Sequence, residues 1–151
     1  MGYGAGVTLA IAVWTIAIVG FGAELTRRLV ARTLHIEAAL PATIMVWLGT
    51  PCLYYTLVSP LYSHAIAWAM VSLMVWTAWS AMHSVGNWKA WLTVGLMSGI
   101  VLSIRLQDAP LLVIPVTLLV FSARSGGKEG LTVKFLSAWL FGMFTGFLPQ
   151  A

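Results

Sequence analysis

Charge is what this chain has least of. Eight Lys and Arg and four Asp and Glu amount to 8% of 151 residues, where soluble domains carry about a quarter. So few carboxylates, none of them paired, exclude the two-acid chemistry of the common hydrolases. No nucleophile triad is present, and no set of metal ligands, so neither a metal nor another cofactor is expected. Cysteine is scarce as well: Cys52 stands alone in an apolar run. That excludes a disulfide or a thiolate metal site within the chain. Long polar stretches are missing too, which leaves no room for a soluble domain. The glycines of "RSGGKEG" lack the spacing and the following Lys-Ser/Thr of a phosphate loop, so the segment reads as a turn.

What is present is apolar. Hydrophobic residues make up 60% of the chain and its mean hydropathy is +0.94, the composition of an integral membrane protein. A helical span needs about 20 apolar residues to cross roughly 30 Å of hydrocarbon. Six segments qualify: Tyr3 to Ala23, Ala38 to Val58, Pro60 to Met82, Trp88 to Leu106, Ala109 to Ala123 and Val133 to Pro149. The fourth has 15 residues between Lys89 and Arg105, and both long side chains can snorkel to restore a crossing length. Tyr54, Tyr55, Tyr62, Trp79, Trp88 and Trp91 fall near span ends, as an aromatic belt would. The expected fold is an all-α membrane bundle of about six transmembrane helices, with residues 1–151 forming a single transmembrane domain.

The positive net charge of +4 does not point to nucleic acid, because the basic residues lie between the apolar segments and mark topology. Seven of the eight fall in three connections: Arg27, Arg28 and Arg32, then Lys89, then Arg124, Lys128 and Lys134. Those connections are expected on the cytoplasmic side. The other side then receives both termini, "VSPLYSH" and "RLQDAP". Arg105 alone breaks the charge rule, and it does so beside Asp108. In the first cytoplasmic connection, Glu24 and Arg28 stand at i,i+4, a helix-stabilising pair. "GLMSG" (Gly95, Gly99) and "GMFTG" (Gly142, Gly146) are small-xxx-small patterns that let helices approach closely.

The external edge collects the candidate site. Ser59 is placed as an N-cap with Pro60 at the first helical position, and Asp108 with Ala109 and Pro110 repeats the arrangement. Two helix N-termini on one face favour an anion. Arg105 adds a bidentate phosphate ligand, and Tyr62, Ser63 and His64 stand in the first turn of the third span. Together these residues suit a headgroup or a sugar phosphate. A plainer reading stands beside it: Asp108 as a cap, Arg105 at a helix C-terminus, and the two as an i,i+3 pair.

Three stretches carry a resemblance: "LGTPCLYYTLVSPLYSHAIAW", "GLMSGIVLSIRLQDAPLLVIP" and "GMFTGFLPQ", in that order over roughly residues 40 to 150. The pattern resembles the multi-span GT-C glycosyltransferases related to protein mannosyltransferases and lipid A aminoarabinose transferases. The resemblance implies transfer of a sugar from a polyprenyl-phosphate donor to a lipid, glycan or protein acceptor. The reaction would take place at the extracytoplasmic face of a bacterial or archaeal plasma membrane. Arg105, Gln107, Asp108, Tyr62, Ser63 and His64 would line the donor site, with Arg105 at the lipid phosphate and Ser59 and Pro60 shaping the helix start.

The chain departs from that family in one respect that matters. Such enzymes carry a catalytic carboxylate in a large external loop after their first span, and many more spans. Here "MGYG" offers no acid, and Asp108, the only external carboxylate, would be a poor base if it caps a helix and pairs with Arg105. The expectation is therefore an internal segment of a larger GT-C domain, supplying the donor phosphate site while its catalytic residue is unknown. The alternative is a small transporter or a non-catalytic membrane subunit, in which Arg105 and Asp108 form a gate or a structural pair. A transporter would show repeats with matching broken helices near the midplane, and no convincing repeat is visible.

Overall fold

A computed structural model of the chain describes residues 4–50, 52–58, 63–84, 86–125 and 129–150, and within them all regular structure is helical. The α-helices are α1 (Ala5–Thr33), α2 (Ile36–Gly49), α3 (Cys52–Leu57), α4 (Ser63–Met82), α5 (Trp88–Ile104), α6 (Val113–Ser125) and α7 (Glu129–Phe147). Two 3₁₀ helices, Leu106–Leu112 and Leu148–Gln150, adjoin α6 and α7. Three stretches are long and apolar enough to cross a membrane: Ala5–Thr33, Ser63–Met82 and Leu106–Arg124. Ile36–Gly49, Trp88–Ile104 and Val133–Phe147 are apolar but shorter.

The expected apolar segments are mostly helical where they are described, but three of their boundaries move. α1 does not stop at Ala23; it runs through the basic stretch to Thr33, where Arg, Leu and Ala are all good helix formers. At 29 residues it is about 43 Å long. The second segment is broken, since α2 ends at Gly49 and Thr50 is extended with φ −117° and ψ 164°. Thr50 precedes a proline in the sequence, and the proline ring disfavours helical backbone at the residue before it.

The third change concerns the helix start expected at Asp108. Arg105, with φ −154° and ψ 106°, turns the chain out of α5, and a 3₁₀ run follows before α6 begins at Val113. That start leaves Pro115 in the first turn of α6, where its missing N–H costs nothing. A helix begun at Ala109 would have carried Pro115 in its interior, at a cost of about 3 kcal/mol.

The chain packs as two units, Met1–Ser72 and Leu73–Ala151, with the boundary inside α4. In the second unit, α5 and α7 lie parallel and touch along their glycines. A Cβ on Gly95 would strike the carbonyl oxygen of Trp139, and one on Gly99 that of Met143. In return, a Cβ on Gly142 would strike the carbonyl of Leu92, and one on Gly146 that of Leu96. The two small-residue patterns are therefore each other's partners, and backbone meets backbone with no room for a side chain. Around this seam, Trp91, Val94, Leu119, Phe135 and Trp139 form a buried cluster with Ala78 and Ala81. The rings of Trp91 and Phe135 stack with centroids 6.0 Å apart, and Trp139 Nε1 donates to the buried Ser98 Oγ at 3.2 Å.

In the first unit, α1 meets the N-terminal half of α4 at Gly22, where a Cβ would crowd the backbone of Ala69. The hydroxyls of Thr26 and Ser72 share a hydrogen bond of 3.2 Å at the same contact. The rest of α1 is far more open: Leu9, Val13, Trp14 and Phe21 are all more than half exposed.

Candidate functional site

Of the expected donor-site residues, Arg105, Gln107 and Asp108 occupy the break between α5 and the first 3₁₀ helix. The Arg105 N–H closes α5 on the carbonyl of Val101 at 3.0 Å, and the Asp108 N–H opens the 3₁₀ run on the carbonyl of Arg105 at 3.0 Å. The guanidinium of Arg105 donates through Nη2 to Gln107 Oε1 at 2.9 Å. An amide two residues away thus helps to orient the cation. Nearby, Ser103 Oγ donates to the carbonyl of Gly146 at 3.1 Å, which ties the end of α5 to the end of α7. "RLQD" and the closing "GFLPQ" are thereby brought into the same neighbourhood of the second unit.

Asp108 does not cap a helix. It stands in the first turn of the 3₁₀ run, whose N-cap is Arg105 and whose start has no side-chain cap hydrogen bond. Neither is the i,i+3 pair with Arg105 found, since the ion pairs among the described residues are both made by Glu24. The 3₁₀ conformation explains both outcomes: it gives Asp108 a place inside the turn instead of before it, and the nearer Gln107 takes the guanidinium.

Ser63 and His64 open the described part of α4 in the first unit. Ser63 is exposed, while His64 is partly buried and stacks on Tyr55 with ring centroids 4.1 Å apart and planes 13° apart. Tyr54 meets Tyr55 edge-on at 5.4 Å. These three rings form an aromatic patch that contiguous sequence reading splits between two segments. Ser59, Pro60 and Tyr62 lie outside the described residues.

The strongest electrostatic cluster is one that the sequence revealed only in part. Glu24 and Arg28 pair as their i,i+4 spacing predicts, with Nε to Oε1 at 2.6 Å. Arg27 joins them side-on, with Nε to Oε2 at 2.7 Å and Nη2 to Oε1 at 2.8 Å. The signal for this was the i,i+3 spacing of Glu24 and Arg27, available from the same helical spacing that pairs Glu24 with Arg28.

Comparison of the chain with protein-family models, with curated proteins and with solved structures finds no match.

Proposed function

We propose that this chain is a six-span membrane segment of a polyprenyl-phosphate-sugar-dependent glycosyltransferase acting at the extracytoplasmic face. Its part is to hold the donor. Arg105 engages the lipid phosphate, Gln107 orients its guanidinium, and Asp108 accepts from sugar hydroxyls. The acceptor is a lipid, glycan or protein hydroxyl, and the base that activates it lies elsewhere in the enzyme. Integral membrane insertion, with the three basic connections cytoplasmic, is part of this reading. The three long apolar helices and the three shorter ones support it.

The observation that carries the donor role is the orientation of Arg105 by Gln107 at a helix break. A planar guanidinium held in a fixed orientation matches the geometry of a phosphate, with which it can form bidentate hydrogen bonds. In a chain with eight basic residues, it is the one that departs from the cytoplasmic pattern. A cation at a membrane edge generally marks a ligand or a partner.

The test is binding of a polyprenyl-phosphate hexose to the 151-residue chain in lipid nanodiscs. Wild type should bind, and Arg105→Ala should weaken binding about tenfold or more, the loss of a charged hydrogen-bonded contact worth about 1.5–3 kcal/mol. Gln107→Ala should weaken it less. Equal affinity in wild type and Arg105→Ala would remove the donor assignment.

A further inference from the structure

Between α1 and α2, within the first unit, lies an open groove of about 270 Å³. Gly20, Leu40 and Ile44 give it apolar walls, and Glu24 and Arg27 give it a charged end. The sequence places Arg27 and Arg28 in a connection outside the bilayer, but the structure lays this part of α1 alongside α2. Ile44 stands eight residues into α2, roughly 12 Å from its start, so charge and apolar wall share one groove.

The cluster carries a net positive charge, since one carboxylate faces two guanidiniums. A guanidinium has five N–H donors. Glu24 takes two from Arg27 and one from Arg28, and among the described residues no other protein acceptor receives the rest. Arg27 and Arg28 keep 37% and 58% of their side-chain surface exposed, so a ligand can reach them. Glu24 acts as a strut that holds both forks in place. Trp47 lines the groove as well, and its indole N–H is buried with no acceptor among the described residues.

We infer that this groove binds an anionic phospholipid, with its phosphate at Arg27 and Arg28 and an acyl chain along Leu40 and Ile44. The inference rests on the membrane insertion proposed above and not on the glycosyltransferase activity. Charge complementarity selects the occupant. Inorganic phosphate would leave the apolar wall bare, and a zwitterionic lipid would bring its own cation to two guanidiniums. Basic pockets between spans on the cytoplasmic side favour anionic headgroups for this reason, and the Arg27 and Arg28 stretch is on that side by the charge rule.

The experiment is native mass spectrometry of the full chain released from detergent micelles doped with equal phosphatidylglycerol and phosphatidylcholine. Wild type should retain phosphatidylglycerol preferentially. Arg27→Gln and Arg28→Gln should each lower that preference about fivefold, the equivalent of about 1 kcal/mol per basic residue near a lipid surface. Ile44→Trp should reduce lipid retention by filling the groove while every charge stays. Far-UV circular dichroism confirms that each variant keeps its helix content, and the groove-filling variant remains decisive if an arginine variant does not fold. Equal retention of the two lipids by wild type overturns the inference. So does a preference that survives Ile44→Trp, displacement of the lipid by inorganic phosphate, or a lipid-free dimer. Alkaline extraction separates the two levels: a chain released from membranes overturns the insertion reading itself. A chain that stays inserted without lipid preference overturns only the groove.

Discussion

In Leu73–Ala151 two helices touch backbone to backbone, whereas in Met1–Ser72 helices α1 and α2 face each other across an open groove with charges in it. Both units have nearly the same raw material of Leu, Ile, Val, Ala and Trp. What separates them is where small residues recur. α5 and α7 each present glycines four residues apart on one face, so their contact extends over several turns. α1 has one such close approach, Gly22 on Ala69, while Gly20 beside it meets nothing. Among apolar helices, association follows how closely the backbones can approach, because hydrophobic surface alone does not discriminate between neighbours of the same kind.

The sharpest way to break this contrast is a side chain in the seam. Gly95→Leu must push α7 away from α5, and overpacking of this kind costs about 1–3 kcal/mol or more. A fall in the denaturation midpoint in mild detergent, with loss of near-UV signal from the buried tryptophans, is the expected outcome. Gly20→Ala is the matched change in the open unit and should leave the midpoint unchanged or raise it slightly, since Ala is the better helix former by about 1 kcal/mol. Similar losses in both variants would mean that the two units do not differ in packing.

A smaller effect should come from Ser98→Ala. It leaves the buried Trp139 N–H without its acceptor, a loss of about 1–3 kcal/mol. Trp139→Phe in the same background should recover part of it, because donor and acceptor are then both gone. A double-mutant cycle with no coupling would show that this hydrogen bond contributes nothing to the seam.

The smallest change in stability should follow Glu24→Gln. The cluster is exposed, and such pairs contribute little to stability, so the midpoint should stay close to wild type. Arg27 and Arg28 would lose their strut, however, and the headgroup preference of the groove should fall. A large loss of stability would instead make the cluster a structural element of the first unit.

The two units also differed in how far they could be read in advance. In the second, the apolar segment read from Trp88 starts where α5 does, with the Asn87 side chain accepting from the Ala90 N–H at 3.4 Å, and the glycine patterns were legible as well. In the first, the end of α1 was misplaced because hydropathy falls at Glu24 while helix propensity does not. The break at Thr50 followed from the proline after it but was hidden inside a continuous apolar run. At the candidate donor site, Arg105 and Gln107 were legible as residue types, yet their mutual hydrogen bond depends on the extended backbone of Arg105. Asp108 looked like a cap only as long as Ala109 was taken for the first residue of a helix; α6 instead starts at Val113, which leaves Pro115 in its first turn.

The sequence by itself determined that the chain is helical and apolar and where its apolar segments lie. These are sums over consecutive residues and need no knowledge of neighbours in space. Tertiary structure decided which helices pair, because Gly95 and Gly142 are far apart along the chain and only a parallel alignment of α5 with α7 brings both glycine rows into register. It also decided that Arg27 shares a groove with Leu40 and Ile44. A charge beside an apolar wall is a relation between two helices, and no local pattern in either one encodes it.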